Sequence, residues 1–367
     1  MTFQNATTGY EEWLRGFGPL DAADLAYKHT LMADAADPFP FFRGTYYRWA
    51  RLWPEVCGDL GAAPPVLAVG DLHVENFGTW RDSDGRLCWG VNDFDEADEL
   101  PYTNDLVRLA ASVLFARKTE KAGGLTLVKF RPACAAILDG YGATLDAGGD
   151  PFVLEERHPG LRAMAMSADR DPVAFWKKLT KVLADPPADP PAAARAALTA
   201  DLPSPDLTPE FRRRPRGGVG SLGKARYVAL AQWGGGWVAR EAKAVAPPAT
   251  AWAAGDSRPS RMRAAVAGAK RCPDPFYQPG VGRPPARASL LARRVGPTRH
   301  RHRRDRTVAV DGGRNGERPP RLPGRRRGPG RPRPPARRLA GRRRESDGRR
   351  RYRRLGRVAR RVRADRV

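Results

Sequence analysis

The chain has 367 residues, enough for about two domains, and it carries a net charge of +25 at pH 7. Residues 283–367 hold 32 arginines against six acidic residues, a net charge of +26, which leaves −1 for residues 1–282. The excess charge therefore belongs to one segment, and it does not make the body of the chain a nucleic-acid binder.

The sequence also bears on the compartment. No apolar stretch approaches the roughly 18 residues that a membrane helix needs. The N-terminus lacks a charged segment followed by an apolar one, so we expect a cytoplasmic protein. The four cysteines are far apart and form no CxxC pair, which indicates free thiols rather than a zinc or redox motif.

Helices are predicted near the N-terminus, at Asp21–Ala33 with Asp21 as the cap and at Thr45–Val56. Between them, Asp37–Gly44 contains two prolines and three phenylalanines, and we expect no regular helix there. This segment presents Arg43, which would meet a phosphate or form a structural salt bridge.

Two acidic motifs follow apolar runs. GDLHVENFG (Gly70–Gly78) comes after Val66–Val69, and VNDFDE (Val91–Glu96) comes at the end of Leu87–Val91. This order predicts two strands whose loops lie side by side. The side chains brought together would be Asp71, His73, Asn76, Asp93 and Asp95. Oxygen ligands beside a proton acceptor are typical of Mg²⁺-assisted phosphoryl transfer.

A helical region follows the second motif. Tyr102–Gly123 carries a continuous apolar stripe, and Asp105 near its start can accept from its own first turn or from the neighbouring acidic loop. Further helices are predicted at Leu125–Leu145 and Asp171–Leu183. A Pro/Ala linker at Ala184–Ala197 leads into another short helix.

The pattern changes to β at about residue 212. A glycine cluster, GGVGSLG, precedes apolar runs at Tyr227–Leu230 and Trp237–Ala239, which are separated by a turn at Gly234–Gly236. We predict a β-hairpin opened by a glycine-rich loop. Such a loop is either an ordinary turn or a phosphate-binding loop whose backbone amides approach the anion. The basic residues that follow, Arg240 and Lys243, give the order of a kinase nucleotide loop and its strand lysine.

These motifs resemble known families. GDLHVENFG and VNDFDE are similar to the catalytic loop and the metal-binding segment of aminoglycoside phosphotransferases and other protein-kinase-like small-molecule kinases. Together with DPFPFFRG and GGVGSLG…REAKA, they resemble a bacterial family known as domain of unknown function 2252, over roughly residues 20–280.

The resemblance implies ATP and Mg²⁺ as cofactors and gives each residue a role. Asp71 would orient or deprotonate an acceptor hydroxyl, His73 would brace the loop and Asp105 would fix it. The implied metal ligands are Asn76, Asp93 and Asp95. The implied nucleotide-binding residues are Gly218, Gly220 and Gly223 with Lys243 or, as the alternative, Arg240. Glu241 is expected to be a structural partner.

The implied fold is α+β, a protein-kinase-like two-lobe fold. The glycine loop follows the catalytic loop instead of preceding it, so the lobes would be permuted in the chain. A helical catalytic lobe would span residues 1–210 and an incomplete β-rich nucleotide lobe residues 211–282. Residues 283–367 are rich in Arg, Pro and Gly and are expected to be disordered.

This tail is open to two interpretations, a polyanion-binding arm or an out-of-frame translation of a GC-rich gene. For the whole chain the first hypothesis is a kinase-like phosphotransferase acting on a hydroxyl-bearing small molecule or protein. The alternatives are a nucleotide-binding pseudoenzyme that regulates a partner, and nucleic-acid binding through the tail.

Overall fold

The structure, a computed structural model, describes residues 2–117, 128–154, 157–165, 171–182, 187–281 and 289–295. Helices dominate the first 200 residues and the longest strands follow residue 209, so the expected α+β class is confirmed. The helices are α1 (Phe3–Arg15), α2 (Ala22–Ala33), α3 (Phe39–Gly44), α4 (Tyr46–Val56), α5 (Gly58–Gly61), α6 (Thr103–Arg117), α7 (Phe130–Asp146), α8 (Pro159–Ala165), α9 (Pro172–Val182), α10 (Ala192–Thr199), α11 (Ala249–Ala254) and α12 (Met262–Gly268). The strands are β1 (Pro65–Ala68), β2 (Phe77–Arg81), β3 (Leu87–Val91), β4 (Asp98–Pro101), β5 (Phe152–Val153), β6 (Glu210–Arg213), β7 (Arg226–Trp233), β8 (Gly236–Val245), β9 (Tyr277–Val281) and β10 (Ser289–Val295).

The start of α2 is tied to the glycine-rich loop. Asp21 caps this helix as predicted, since its Oδ1 accepts from the Asp24 amide at 2.9 Å. The Asp21 amide in turn donates to the Gly223 carbonyl at 2.8 Å. Leu20 and Lys224 form an isolated antiparallel bridge beside it. The N-terminal helices and the later β region therefore meet at this point.

The prediction for the Asp37–Gly44 segment was wrong. Phe39–Gly44 forms the short helix α3, with Pro40 in its first turn. A proline is tolerated there because the first-turn amides have no partner within the helix. Phe39 and Phe42 are fully buried, so the aromatic side chains fill the core as expected, but from a helix.

Four other predicted helices are confirmed. They are α4, α6, α7 and α9. The predicted continuation of α6 to Gly123 and the predicted start of α7 at Leu125 fall outside the described residues. The helix α10 begins within the predicted linker, at Ala192, where an alanine-rich run favours helix.

The acidic motifs are held by two small antiparallel sheets. One pairs β1 with β4, and the other has the order β2-β3-β5. The predicted apolar runs correspond to β1 and β3, whereas β2 begins within the last two residues of the first motif and was not predicted. Its register pairs Phe77 with Val91, which brings the end of the first motif beside the start of the second.

A five-stranded antiparallel sheet follows, with the order β6-β7-β8-β10-β9. The predicted hairpin is confirmed as β7 and β8, which pair from Arg226↔Lys243 to Trp233↔Gly236. The expectation of disorder from residue 283 onward needs correction at Ser289–Val295, because this strand pairs with both β8 and β9. Composition averaged over the whole tail misses the local run SLLA, and a strand added to an existing sheet needs no core of its own.

The largest hydrophobic cluster joins the N-terminal helices to α6, α7 and α11, with Phe42, Tyr47 and Trp49 among its buried members. A second cluster packs Phe94 of the acidic motif against Val245 of β8 and Tyr277 of β9. The second motif is thus anchored to the larger sheet. Within the described ranges, no helix is both long and apolar enough to cross a membrane.

Candidate functional site

The two acidic loops and the glycine-rich loop border one pocket, which is partly open to solvent. Helices α1 to α4 complete its walls. The sequence-predicted residues in the lining are Asp71, His73, Asn76, Asp93, Asp95 and Gly220. Residues that lie some 150 positions apart in the chain therefore share one site.

The first acidic loop begins with a turn that requires glycine. Gly70 has φ +82°, and a Cβ there would lie 2.2 Å from the Glu96 carbonyl oxygen. Asp105 at the start of α6 accepts from the Val69 amide at 2.7 Å and from the Gly70 amide at 2.9 Å. Desolvation raises the pKa of Asp105 to about 6, against the lowering effect of these two amides. Asp105 therefore fixes the loop from behind and lies outside the pocket lining.

Two arginines hold Asp71. Arg108 donates to its Oδ1 from Nη2 at 2.6 Å and from Nε at 3.0 Å, and Arg43 approaches Oδ2 at 3.4 Å. Arg108 is 1 % exposed, lies 3.7 Å above the Phe42 ring and also donates to the Phe42 carbonyl. Of the two possibilities for Arg43, the structure places it in a salt bridge.

Sequence reasoning missed Arg108. Arg108 lies on the side of the helix opposite the predicted apolar stripe of Leu106, Ala110 and Val113, so the sequence pattern gave no sign that it would be buried.

His73 lines the pocket but is almost fully buried. Its Nδ1 accepts from the Glu75 amide at 3.0 Å, and its ring meets Phe39 edge to face at 5.9 Å. Glu75 belongs to the same acidic loop, and Phe39 belongs to α3. The geometry fits the expected bracing role.

Asn76 joins the two acidic motifs. Its Nδ2 donates to the Asp93 carbonyl at 3.0 Å and to the Asp71 carbonyl at 3.3 Å. Among the residues that the structure describes, its Oδ1 is buried without a hydrogen-bond partner, and the same is true of Asp95 Oδ1. Two acceptor oxygens on neighbouring loops are thus left unsatisfied, which is costly unless a ligand completes them.

The two basic residues of β8 have different surroundings. Lys243 Nζ lies 2.6 Å from Asp95 Oδ2 and 3.4 Å from Asp93 Oδ1, and its side chain is 2 % exposed. Arg240 instead donates to the Asp201 carbonyl at 2.9 Å and lies 4.8 Å above the Phe276 ring. The structure brings Lys243, and not Arg240, to the acidic loops.

The three predicted glycines of the loop, Gly218, Gly220 and Gly223, have different structural roles. A Cβ on Gly220 would lie 3.9 Å from Asp71 Oδ2, so this glycine faces the site. Gly223 has φ +91°, and a Cβ there would lie 2.7 Å from Leu25 Cδ2, so it serves packing against α2. The Gly218 carbonyl accepts from the Ser221 amide at 2.8 Å and closes the turn.

A buried ion network supports this loop. Glu241 is fully buried and binds Arg214 at 2.5 Å and Arg226 at 3.2 Å. Arg226 also donates to the Ser221 hydroxyl at 2.6 Å. Glu241 thus has the structural role expected of it, since it connects β8 to the turn that carries Gly220.

Residues 20–173 match the model of a family described as "Uncharacterized protein conserved in bacteria (DUF2252)". The match supports the family assignment made from the motifs. No curated protein and no solved structure matches the chain.

The DUF2252 match divides the site into two parts. It contains both acidic motifs, Arg43 and Arg108. Gly220 and Lys243 lie beyond residue 173, in the region whose similarity rests on the motif resemblance alone. Most of the pocket lining therefore lies within the matched segment, and Tyr10, Gly220 and Ser221 complete it from outside.

A separate cluster lies away from the pocket. Ligand atoms of Asp82, Cys88 and Cys272 lie within 4.8 Å of one another, and all three residues are buried. The cysteines are distant in sequence, so their spacing gave no sign of this proximity. Asp82 is already paired with Arg86 at 2.8 Å, and all four cysteines are free thiols as expected.

Proposed function

We propose that this protein is an ATP- and Mg²⁺-dependent, kinase-like phosphotransferase that acts on a hydroxyl-bearing acceptor. The observation that carries the proposal is the convergence of Asn76, Asp93, Asp95 and Lys243 beside Asp71. Phosphoryl transfer needs positioning and charge neutralisation more than covalent chemistry. Carboxylate, amide and ammonium groups supply both.

The donor set fits a magnesium ion. Asn76 Oδ1 and Asp95 Oδ1 are buried acceptors that have no partner within the described part of the chain, and Asp93 adds a carboxylate between them in sequence. Such hard oxygens are the ligands that Mg²⁺ takes in proteins, usually together with substrate phosphates. When bound, the ion would neutralise phosphate charge.

The remaining side chains would act on the substrates. Lys243 already bonds to two carboxylates, and the same ammonium could donate to a phosphate oxygen held beside them. Asp71, fixed by Arg108, would orient the acceptor hydroxyl. Gly220 leaves the space in front of Asp71 free of a side chain. In this proposal residues 1–210 form the catalytic lobe and residues 211–282 the nucleotide lobe of a permuted kinase-like fold.

Binding of ATP, followed by formation of ADP, tests the proposal. We expect calorimetry to show ATP binding that requires Mg²⁺, and ADP to form with water as a slow acceptor. The Asp93→Asn variant should lose about 10²- to 10³-fold in ADP formation, as other enzymes do when one electrostatic group is removed. Asp139→Asn, an exposed position on α7, is the matched control and should behave as wild type. Absence of Mg²⁺-dependent ATP binding to the folded wild-type protein would overturn the proposal.

One observation favours a second candidate, a nucleotide-binding regulatory protein without transfer activity. Arginine nitrogens approach both carboxylate oxygens of Asp71, which leaves less of this group available to an acceptor. ATP binding with no ADP formation in the presence of Mg²⁺ would point to this candidate.

A further inference from the structure

Lys28 is a buried cation that lies outside the sequence motifs. It lies on α2, lines the pocket beside Arg43 and Glu96, and is 3 % exposed. Among the residues that the structure describes, its ammonium group has neither a hydrogen-bond nor an ion-pair partner. A lysine in this state is unusual, because a desolvated charge is costly unless something neutralises it.

The neighbouring charges do not neutralise it by contact. Glu11 is bound to His29 at 2.7 Å, and Glu96 accepts from the Ala249 amide at 2.6 Å. Desolvation lowers the pKa of Lys28 to about 8; Glu11 and Glu96 oppose this shift, and Lys224 adds to it. The Lys28 ammonium therefore lacks a contact that would offset its desolvation.

The other cations of the site are already engaged. Arg43 binds Asp71 at 3.4 Å and Glu75 at 3.6 Å, and Lys243 binds Asp95 at 2.6 Å. Tyr46, also in the lining, has a buried hydroxyl that meets no hydrogen-bond partner in the described ranges. Its pKa is raised well above the usual value, chiefly by desolvation, so the hydroxyl stays protonated and can donate. Lys28 and Tyr46 thus offer unused donors to the same pocket.

We propose that Lys28 binds a phosphate group of the ligand in this pocket. The inference rests on the proposed function, which places a polyphosphate beside Asn76 and Asp95. An ammonium group carries three donors and a compact charge, and a phosphate oxygen would satisfy both. The bound anion would then offset the desolvation that Lys28 bears in the free protein.

The inference predicts opposite effects on stability and on binding in one variant. Lys28→Met keeps the length of the side chain and removes the buried charge, so the Tm without ligand should be unchanged or higher. The affinity for Mg·ATP and for inorganic tripolyphosphate, measured by calorimetry, should fall about tenfold to hundredfold, the range for one hydrogen bond to a charged group. A merely structural lysine would not produce this combination.

Two further variants complete the experiment. Lys177→Met removes the same charge from an exposed position on α9 and should leave both affinities at the wild-type value. Lys28→Arg keeps the charge and should retain part of the affinity. If Lys28→Met binds both compounds as tightly as wild type does, the inference is wrong and the proposed function stands.

The two proposals also separate in the wild-type protein. If wild type binds tripolyphosphate but not ATP, and Lys28→Met loses that binding, then Lys28 binds phosphate and the ATP-dependent function is wrong. If wild type binds neither compound, both proposals fail.

Discussion

Asp71 and Asp105 illustrate how much a residue's role depends on partners that the motif does not contain. The motif fixes their identities, but Asp71 is held by Arg108 on a later helix and by Arg43 on an earlier one. Asp105 is used as an acceptor for two loop amides, one of the two possibilities that the sequence left open. That Asp71 and Asp105 are site residues could be predicted, because the expected chemistry requires carboxylates in this motif. Their partners could not, because they depend on how α3 and α6 pack.

Glu96 gives a testable consequence at this scale. Desolvation raises its pKa to about 7, with Asp71 and Asp95 acting in the same direction and Lys224 and the Ala249 amide against it. The folded state then binds the proton more tightly than the unfolded state, whose value is near 4.5. The contribution of Glu96 to the free energy of unfolding is therefore fully present below about pH 4.5 and is lost as the pH rises through about 7.

We therefore expect Glu96→Gln to remove part of the pH dependence of stability. Glutamine can still accept from the Ala249 amide, so the contact of Glu96 Oε2 at 2.6 Å is preserved. Across the window the wild-type free energy of unfolding should fall by about 1–3 kcal/mol more than that of the variant. Urea titrations at pH 4.5, 6 and 7.5 measure this difference. Parallel pH profiles for the two proteins would contradict it.

At the scale of elements, the predictions succeeded where the signal was local. The β7–β8 hairpin follows from two apolar runs around a glycine turn, and the Asp21 cap follows from its position before a periodic stretch. The helix α3 and the strand β10 were missed for a common reason. Each is stabilised by elements distant in sequence, the buried core for α3 and the strands β8 and β9 for β10.

The junction of the two acidic loops depends on close backbone approach at Gly70. Gly70→Ala would place a Cβ 2.2 Å from the Glu96 carbonyl oxygen, and the backbone also has φ +82°. Gly85 has a similar φ of +76°, but a Cβ there would meet no atom within 4 Å. Gly85→Ala is therefore a matched control for backbone conformation alone.

We expect Gly85→Ala to cost about 1 kcal/mol and Gly70→Ala at least about 2 kcal/mol more, because the second loop must also move. Chemical denaturation of both variants measures the two values. If they are equal, the contact between the loops tolerates a methyl group and the tight junction is not needed.

At the scale of the whole molecule, charge composition and strand pairing divide the chain at different places. The excess charge of +26 distinguishes residues 283–367 from the rest of the chain by composition. The same average hid Ser289–Val295, which lies between β8 and β9 in the sheet that carries Lys243. Segment composition describes solvation, whereas strand pairing depends on a few residues and an open sheet edge.

The position of β10 leads to a prediction about truncated chains. In the sheet order, β9 reaches the other strands only through β10, and β10 also covers the strand that carries Lys243. A chain of residues 1–281 should therefore be less stable than a chain of residues 1–295, by more than about 3 kcal/mol, since the backbone hydrogen bonds of a whole strand are lost.

Urea denaturation followed by near-ultraviolet circular dichroism compares the two chains. A third protein, the full chain with residues 289–295 replaced by Gly and Ser, separates strand pairing from chain length and should resemble the 1–281 protein. The shorter chain should also bind Mg·ATP more weakly, because β8 then loses the neighbour that holds Lys243 in line with Asp93 and Asp95. Equal stability of the 1–281 and 1–295 chains would mean that β10 does not support the sheet and that the site is complete without the tail.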